Sequence, residues 1–297
     1  MRLGLVILLC LLNTACAIVR KDKEEPVEDV PTRREKAEPV LKPSDALKPK
    51  GLEVASPVSD VFYMKGTYFT AAVTTEFAVD RSPTIRGTEM IGEEDLGWDD
   101  QVDQFRMEAD IRMKRRHHLR FDYFKLSRFK DVALARDIVF GDFDFDEGTI
   151  FRSKLDWRVF TITHTYEFFK FDRWEAGGGL GIHIAQVDAE GGQPGTLNRE
   201  EVNKVGIWPT LALSGSFRIS KRWAVTARGQ YFAATPEDFE GSMADYHADI
   251  QYRWRKNLAV GLGYTKLATH VVVVDTANPV LFDLDTDGPE LFFRVAF

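Results

Sequence analysis

Cysteine is scarce in this sequence, and aromatic residues are missing from its first 61 positions. Cys10 and Cys16 are the only cysteines, so the rest of the chain has neither a disulfide nor a cysteine metal site. The net charge of -7 comes without any face-wide excess of Lys and Arg, so we expect no nucleic-acid partner. The first aromatic residue, Phe62, therefore marks the boundary between two different parts of the chain.

Long apolar runs are also missing. The longest, residues 3–12, follows a basic residue and precedes small ones, which predicts an export signal over 1–17 because the run is too short for a membrane-spanning helix. Cleavage after Ala17 would remove Cys16. "LNTAC" also resembles a bacterial lipobox, which would leave Cys16 as a lipidated N-terminus, although Asn13 stands where that motif prefers an aliphatic residue. Both outcomes remain open.

Residues 18–61 carry mixed charges and several prolines but no aromatic residue. Such a segment cannot bury enough apolar area to offset the entropy of ordering it. We predict a disordered tether here.

From Phe62 onward, apolar and polar residues alternate with a period of two, the pattern of strands with one apolar face. In "VDQFRMEADIRM", Phe105 and Met107 share one face, and Arg106 and Glu108 share the other. The alternation predicts an all-β fold over 62–297. We expect ten strands, near residues 62–92, 102–114, 117–140, 149–170, 172–187, 204–218, 222–235, 242–255, 257–274 and 288–297.

Two positions disturb this pattern. The alternation slips near Phe124, where we expect a bulge, and Pro209 cannot donate a ladder hydrogen bond, so we expect an irregularity there. Twelve strands are an alternative, because the first span is long and contains Pro83. Eight would require discarding good alternation.

The connectors indicate which face is the exterior. Short basic turns such as "KRRH" and "SKRW" alternate with long acidic loops such as "GEEDLGWDDQVD", as in a membrane barrel. A soluble lipocalin-like barrel, with its apolar face inside, is the alternative. Aromatic residues at the short turns favour lipid outside: Phe168, Phe169, Phe171, Trp174, Trp223, Trp254 and Phe297. We predict a closed antiparallel up-and-down transmembrane β-barrel.

The last residues resemble the C-terminal signature of bacterial outer-membrane proteins, an alternating strand that ends in Phe. Leu291, Phe293, Val295 and Phe297 carry this resemblance. It implies recognition by the barrel-assembly machinery, with outer-membrane lipid and lipopolysaccharide as further partners. It also implies the outer membrane of a Gram-negative bacterium, with the tether in the periplasm. The chain looks like the small barrels of the OmpA, OmpX and omptin size class.

Charged residues on the polar strand faces should point into the lumen. A barrel of this size has an interior that side chains can fill, so we expect a charge-filled lumen and a structural or surface-interaction role for the acidic loops. A narrow porin-like channel for ions or small solutes is the alternative. The predicted lumen residues are Arg106, Glu108, Asp110, Arg112, Arg120, Asp122, Lys154, Asp156, Arg158, Arg228, Asp245, His247, Asp249, Arg253 and Arg294.

The loop "DLDTDG" has the carboxylate spacing that opens a calcium loop. Asp283, Asp285 and Asp287 would supply the first ligands, but Arg294 stands where an EF-hand needs its bidentate Glu. A complete EF-hand is therefore excluded. A weak surface site for Ca²⁺ or Mg²⁺ is a hypothesis, and we expect no other cofactor.

Asp245 and His247 form an Asp-x-His pair near the long-loop end of a strand, and Asp99 and Asp100 lie in another acidic loop. The set resembles the omptin proteases, which hold a water between acidic residues and an Asp-His pair. The omptins' spaced Asp-x-Asp is missing here, since "GWDDQ" has adjacent aspartates. We expect no enzyme active site, with a surface protease as the second alternative. The remaining histidines are scattered over different strands: His118, His164, His183 and His270.

Overall fold

Most of the alternating sequence forms long antiparallel strands. A computed structural model describes residues 57–235, 239–273 and 279–297. The predicted signal peptide with Cys16, and tether residues 18–56, lie outside the described residues. The strands are β1 Phe62–Val79, β2 Met90–Ile91, β3 Gln101–Met113, β4 His117–Ala133, β5 Ile138–Phe140, β6 Phe143–Phe145, β7 Ile150–Lys170, β8 Trp174–Gly192, β9 Arg199–Arg218, β10 Trp223–Ala234, β11 Phe239–Arg255, β12 Leu258–Val273 and β13 Val280–Ala296.

Ten of these strands close into one barrel. Each of β1, β3, β4 and β7 to β13 pairs antiparallel with its neighbour in the chain, and β13 pairs back on β1 from Tyr63↔Ala296 to Val79↔Val280. Closure leaves no sheet edge along this seam. The predicted ten-stranded up-and-down barrel is confirmed.

The short strands and a helix lie at one end of the barrel. The turns between β3 and β4, β7 and β8, β9 and β10, and β11 and β12 are short, and we call this the short-turn end; the opposite end is the long-loop end. At the long-loop end a single helical turn, α1 (Gly92–Asp95), follows β2. Within the described residues, no helix is long and apolar enough to cross a membrane.

The outer face of the barrel changes character halfway along its strands. On β8, Leu180, Ile182 and Ile184 are exposed and apolar, and Trp174 stands at the short-turn end. This stretch is about as long as a transmembrane β-strand, which needs ~9–11 residues. We call the apolar belt at this level the outer band. Beyond it the outer face is mostly polar, and the 21-residue strand β7 extends far past it.

The interior changes in the opposite sense at the same level. Along β7, Thr161 and Thr163 point inward beside the outer band, whereas Trp157 and Phe151 point inward beyond it. The strand keeps its alternation throughout, so the same face is polar in one half and apolar in the other. One half thus has the polarity of a membrane barrel and the other that of a soluble barrel.

This inversion corrects the bulge expected near Phe124. The β4–β7 ladder runs without a register shift from His117↔Tyr166 to Ala133↔Ile150. Phe124 and Leu126 point inward because that part of β4 lies beyond the outer band. The same residues of β4 continue to alternate between the inner and outer faces, but beyond the outer band the inner face becomes apolar. This change of polarity, and not a bulge, disturbs the pattern in the sequence.

The bounds of some predicted strands were also wrong. The strand expected over 117–140 ends at Ala133, and residues 138–140 pair with β6 in a separate sheet. The first barrel strand ends at Val79, not near residue 92, and the chain then folds back so that Met90, Leu96 and Trp98 are buried. The last strand begins at Val280 rather than 288. The last strand was predicted too short because the polar outer face of its first part, beyond the outer band, resembles a loop in sequence.

Candidate functional site

The interior beside the outer band is filled by paired charges. We call this set of buried and half-buried side chains the ion-pair layer; it comprises Lys65, Arg106, Glu108, Asp110, Arg120, Asp122, Arg228, Asp245, His247, Asp249 and Glu290. Burying an isolated charge is very costly, so such groups persist inside a protein only as partners of one another.

Arg106 lies at the centre of the ion-pair layer. Its Nε donates to Asp122 Oδ1 (2.7 Å) and its Nη2 donates to Asp245 Oδ2 (2.8 Å). His247 Nε2 lies 2.7 Å from Arg106 Nη1 and 2.8 Å from Asp245 Oδ1. One guanidinium therefore links β3 with β4 beside it and with β11 across the lumen.

Two other cations, Arg228 and Lys65, also pair with carboxylates on other strands. Arg228 pairs with Glu108 and lies 3.6 Å from Asp122. Lys65 Nζ donates to Asp249 (3.3 Å) and Glu290 (3.2 Å). The β-strands on opposite walls are thus connected by charged side chains across the space through which a solute would have to pass.

A second set of ion pairs lies at the short-turn end. Arg112 donates to Glu167 (2.6 Å) and Glu175 (3.0 Å), and His118 contacts Glu167. His118, Glu167 and Glu175 have ligand atoms within 4.8 Å of one another, but the chain's own cation Arg112 already occupies this cluster.

Asp60 lies at the same end and binds two arginines of the barrel. Its Oδ2 accepts from Arg253 (2.5 Å) and from Arg294 (2.9 Å), and it is buried. The last residues of the predicted tether, 57–61, therefore pack against the barrel rather than extending from it.

Three predicted lumen residues do not face the lumen. Lys154, Asp156 and Arg158 lie on the outer face of β7, whereas Leu155 and Trp157 between them point inward. The prediction was wrong because this stretch lies beyond the outer band, where polar side chains meet water. Asp156 is surrounded there by cations: Lys125 (3.6 Å), Lys154 (3.7 Å) and Arg158 (3.9 Å). The Ser127 hydroxyl and these cations lower the pKa of Asp156 below its ordinary value.

The predicted calcium loop is a strand. Asp283, Asp285 and Asp287 lie on the outer face of β13, with partners on β12. Asp285 accepts from Lys266 (2.8 Å), and Asp283 lies 3.0 Å from His270 Nδ1. Alternation in an extended strand separates successive carboxylates on one face, so they do not converge as they would in a calcium loop.

The Asp-x-His pair lies inside the barrel, not near the long-loop rim. Asp245 and His247 are both buried and are bonded to Arg106. Asp99 and Asp100 are exposed, and the Asp99 carboxylate lies 3.7 Å from Lys130. The four residues of the omptin-like set are therefore not brought together around a common water.

The remaining predicted lumen residues, on β3, β4, β10, β11 and β13, point inward in the structure. Sequence reasoning missed Asp60, Lys65, Glu167, Glu175 and Glu290. Lys65 and Glu290 stand between apolar residues in strand segments, so alternation could have found them. Asp60 could not be found this way, because it precedes the first strand.

An apolar cavity of about 400 Å³ occupies the interior beyond the ion-pair layer. Aromatic and aliphatic side chains from opposite walls line it, including Phe77, Trp98, Phe151, Trp157, Ala185, Trp208, Val271 and Phe282. The Trp157 ring lies 6.4 Å from that of Phe282, and Phe77 stacks on Trp98 at 5.7 Å. These side chains frame the space without filling it.

No protein-family model matches the chain, and no curated protein sequence matches it. Among solved structures, it is similar to the outer membrane protease OmpT from Escherichia coli, with a TM-score of 0.51 and 9% identity over 83% of this chain and 100% of that one. The outer membrane protein OprG from Pseudomonas aeruginosa gives 0.35 and 12% over 80% and 95% of the two chains. Ail, the attachment invasion locus protein of Yersinia pestis, gives 0.26 and 9% over 77% and 98%. The chain has the fold of the small bacterial outer-membrane β-barrels.

Proposed function

We propose that this protein is an outer-membrane β-barrel that binds an apolar small molecule in the cavity of its long-loop half. The short-turn end would face the periplasm, and the cavity would lie on the cell-surface side. The observation that carries the proposal is the cavity itself. Protein interiors are close-packed, with few voids larger than a water molecule, whereas ligand pockets occupy ~300–1,000 Å³ and are mostly apolar. A space of about 400 Å³ with aromatic walls belongs to the second class.

The ion-pair layer supports a binding role over a channel. Arg106, Arg228 and Lys65 bridge the lumen on the periplasmic side of the cavity, so a bound molecule would meet a charged barrier below it. Desolvating an apolar solute is favourable in the cavity and unfavourable among buried charges.

The same layer argues against a protease. A peptide bond would have to reach Asp245 and His247, which are buried and bonded to Arg106. A purely structural or surface-interaction barrel, with its acidic loops as the working part, remains the alternative if the cavity binds nothing.

Fluorescence of N-phenyl-1-naphthylamine tests the proposal. The full chain in lipid nanodiscs should give a saturable increase over empty nanodiscs, at one probe per barrel. Ala185→Phe places a ring in the cavity and should weaken binding at least about tenfold, whereas Ala248→Phe, the same change on the outer face of β11, should not. Heat-modified gel mobility would show that both variants are folded. No saturable signal, or equal affinity in all three proteins, would contradict the proposal.

Conductance tests the closed lumen separately. We expect no steady current across planar bilayers for the native barrel, and none for Arg158→Glu, whose side chain lies on the outer face. A steady ion current through the native barrel, abolished or reversed in selectivity by Arg106→Glu, would instead establish the channel alternative.

A further inference from the structure

The barrel wall has a gap between β9 and β10. Their ladder runs from Arg218↔Ala224 to Leu211↔Tyr231 and ends there. Beyond it, β9 continues to Arg199 paired with β8 alone, while β10 continues to Ala234 paired with β11 alone. Within the described residues, β9 has no strand partner on that side from residue 199 to 210. Pro209, which lacks an N–H, lies two residues past the last pair.

The gap begins at the upper border of the outer band. Ile207, on the unpaired part of β9, is opposite Ile184 of β8, the last apolar outer residue of that strand. Ile207 is 66% exposed and Val205 is 62% exposed. Backbone groups cannot stay unpaired in hydrocarbon, so this level corresponds to the headgroup boundary of the outer leaflet rather than to its centre.

The gap leads to the apolar cavity. Lys204, Val205, Gly206 and Trp208, all on the unpaired part of β9, line the cavity. Trp208 is buried, and its ring lies 6.0 Å from the Phe232 ring on β10. A Cβ on residue 206 would approach Trp208 Cζ2 to 2.6 Å, so glycine there provides the room for the indole. In the described part of the chain, the contact between these two rings, and not a backbone ladder, joins β9 to β10 at this level.

A lysine stands beside this opening. Lys204 lines the cavity and is exposed, and it has no ion pair in the described part of the chain. Lys154, which also lines the cavity, lies 3.7 Å from Asp156. Of the two lysines that line the cavity among the described residues, Lys204 is therefore the one available to pair with a charge carried by a ligand.

We infer that the ligand is a single-chain amphiphile with an anionic head group, which enters sideways from the outer leaflet through the gap between β9 and β10. Its chain would lie in the cavity, and its head group would pair with Lys204 at the opening. The inference rests on the proposed function, since it presupposes that the cavity binds a ligand. It adds the chemical class of that ligand and the route of entry.

The head group is tested with dodecanoate and dodecanol, each displacing N-phenyl-1-naphthylamine from the nanodisc-embedded chain. Lys204→Gln should weaken dodecanoate binding roughly tenfold, the value of one hydrogen bond to a charged group, and leave dodecanol unchanged. Lys125→Gln, which removes a lysine from another part of the outer face, should affect neither. Equal losses for both ligands, or no loss for dodecanoate, would overturn the assignment of Lys204.

The route is tested by closing the gap. Pro209→Cys with Ala233→Cys, joined by a flexible bis-maleimide, would link β9 to β10 just past their last pair. The control is Leu211→Cys with Tyr231→Cys, joined where the strands already pair. The first link should slow dodecanoate loading from lipid at least about tenfold without changing its affinity, and the control link should not.

The two failures are distinguishable. Saturable binding with equal loading rates in the linked and unlinked proteins would reject the lateral route but leave the binding site intact. The absence of any saturable binding in the native barrel would reject the proposed function itself.

Discussion

At the residue scale, Arg106 has three buried polar partners, Asp122, Asp245 and His247, on two other strands. We expect Arg106→Leu to destabilise the folded barrel by ~3–5 kcal/mol, because it removes the cation that is bonded to both Asp122 and Asp245 in the interior. Arg158→Ala, which removes an arginine from the outer face, should change stability by less than ~1 kcal/mol. Urea unfolding in lipid vesicles, followed by tryptophan fluorescence, measures both.

Equal stability of the two variants would mean that the carboxylates of the ion-pair layer find other partners, and the layer would then not depend on Arg106. The double variant Arg106→Leu with Asp245→Leu is a further check. It should lose less than the sum of its two single variants, because the partners act as one unit.

Asp156 provides a residue-scale test on the outer face. Its carboxylate accepts from the Ser127 hydroxyl at 2.5 Å, and that bond lowers its pKa. A lowered folded-state pKa gives stability that is present above the ordinary carboxyl pKa and is lost as pH falls through the folded value. We expect Ser127→Ala to raise the pKa of Asp156, as followed by carbon NMR of the carboxyl group. An unchanged titration would assign the shift to the neighbouring cations alone.

At the scale of single strands, the alternation predicted ten strands. It did not predict the level at which the apolar face of a strand changes from the outside of the barrel to the inside. Along β7 the inward side chains change from Phe151 and Trp157 to Thr161 and Thr163. An alternation of period two shows which residues share a strand face, but not which of the two faces is shielded from water. Lys154, Asp156 and Arg158 were therefore assigned to the wrong side. The medium outside the strand decides that question, and it changes partway along β7.

The inner face of β8 gives a prediction at this scale. A Cβ on the inward-facing Gly179 would lie 1.9 Å from the His164 carbonyl oxygen of β7, whereas one on Gly178, which faces outward, would have no neighbour closer than 3.2 Å. We expect Gly179→Val to prevent closure of the β7–β8 pair or to cost several kcal/mol, and Gly178→Val to fold. The folded fraction in heat-modified gel mobility is the measurement. Comparable folding of both would mean that β8 can shift away from β7.

At the scale of the whole molecule, the sequence was sufficient for the closed barrel, the grouping of its short turns at one end and most of the charged lumen. It was not sufficient for the cavity or the gap. Both depend on where the β9–β10 ladder stops relative to the outer band. Pro209 indicated an irregularity, but only the register shows that the wall opens there.

Cysteine labelling tests the position of the whole barrel in the membrane, since no cysteine follows Cys16. On intact cells, a membrane-impermeant maleimide should label Lys154→Cys, beyond the outer band, and should not label Ile162→Cys, within it. Arg173→Cys, at a short turn, should react only after the outer membrane is permeabilised. Labelling of the Arg173 variant but not the Lys154 variant on intact cells would mean that the barrel is inserted upside down.

The two ion pairs of Asp60 have a mechanical consequence. Its carboxylate is held by Arg253 of β11 and Arg294 of β13, while Val61 N–H donates to the Phe297 carbonyl at 2.8 Å. Tension on the chain preceding residue 57 would be divided between two strands before it reached the β1–β13 closure. A force from that direction would thus act on both ion pairs of Asp60 at once, before it could separate β1 from β13.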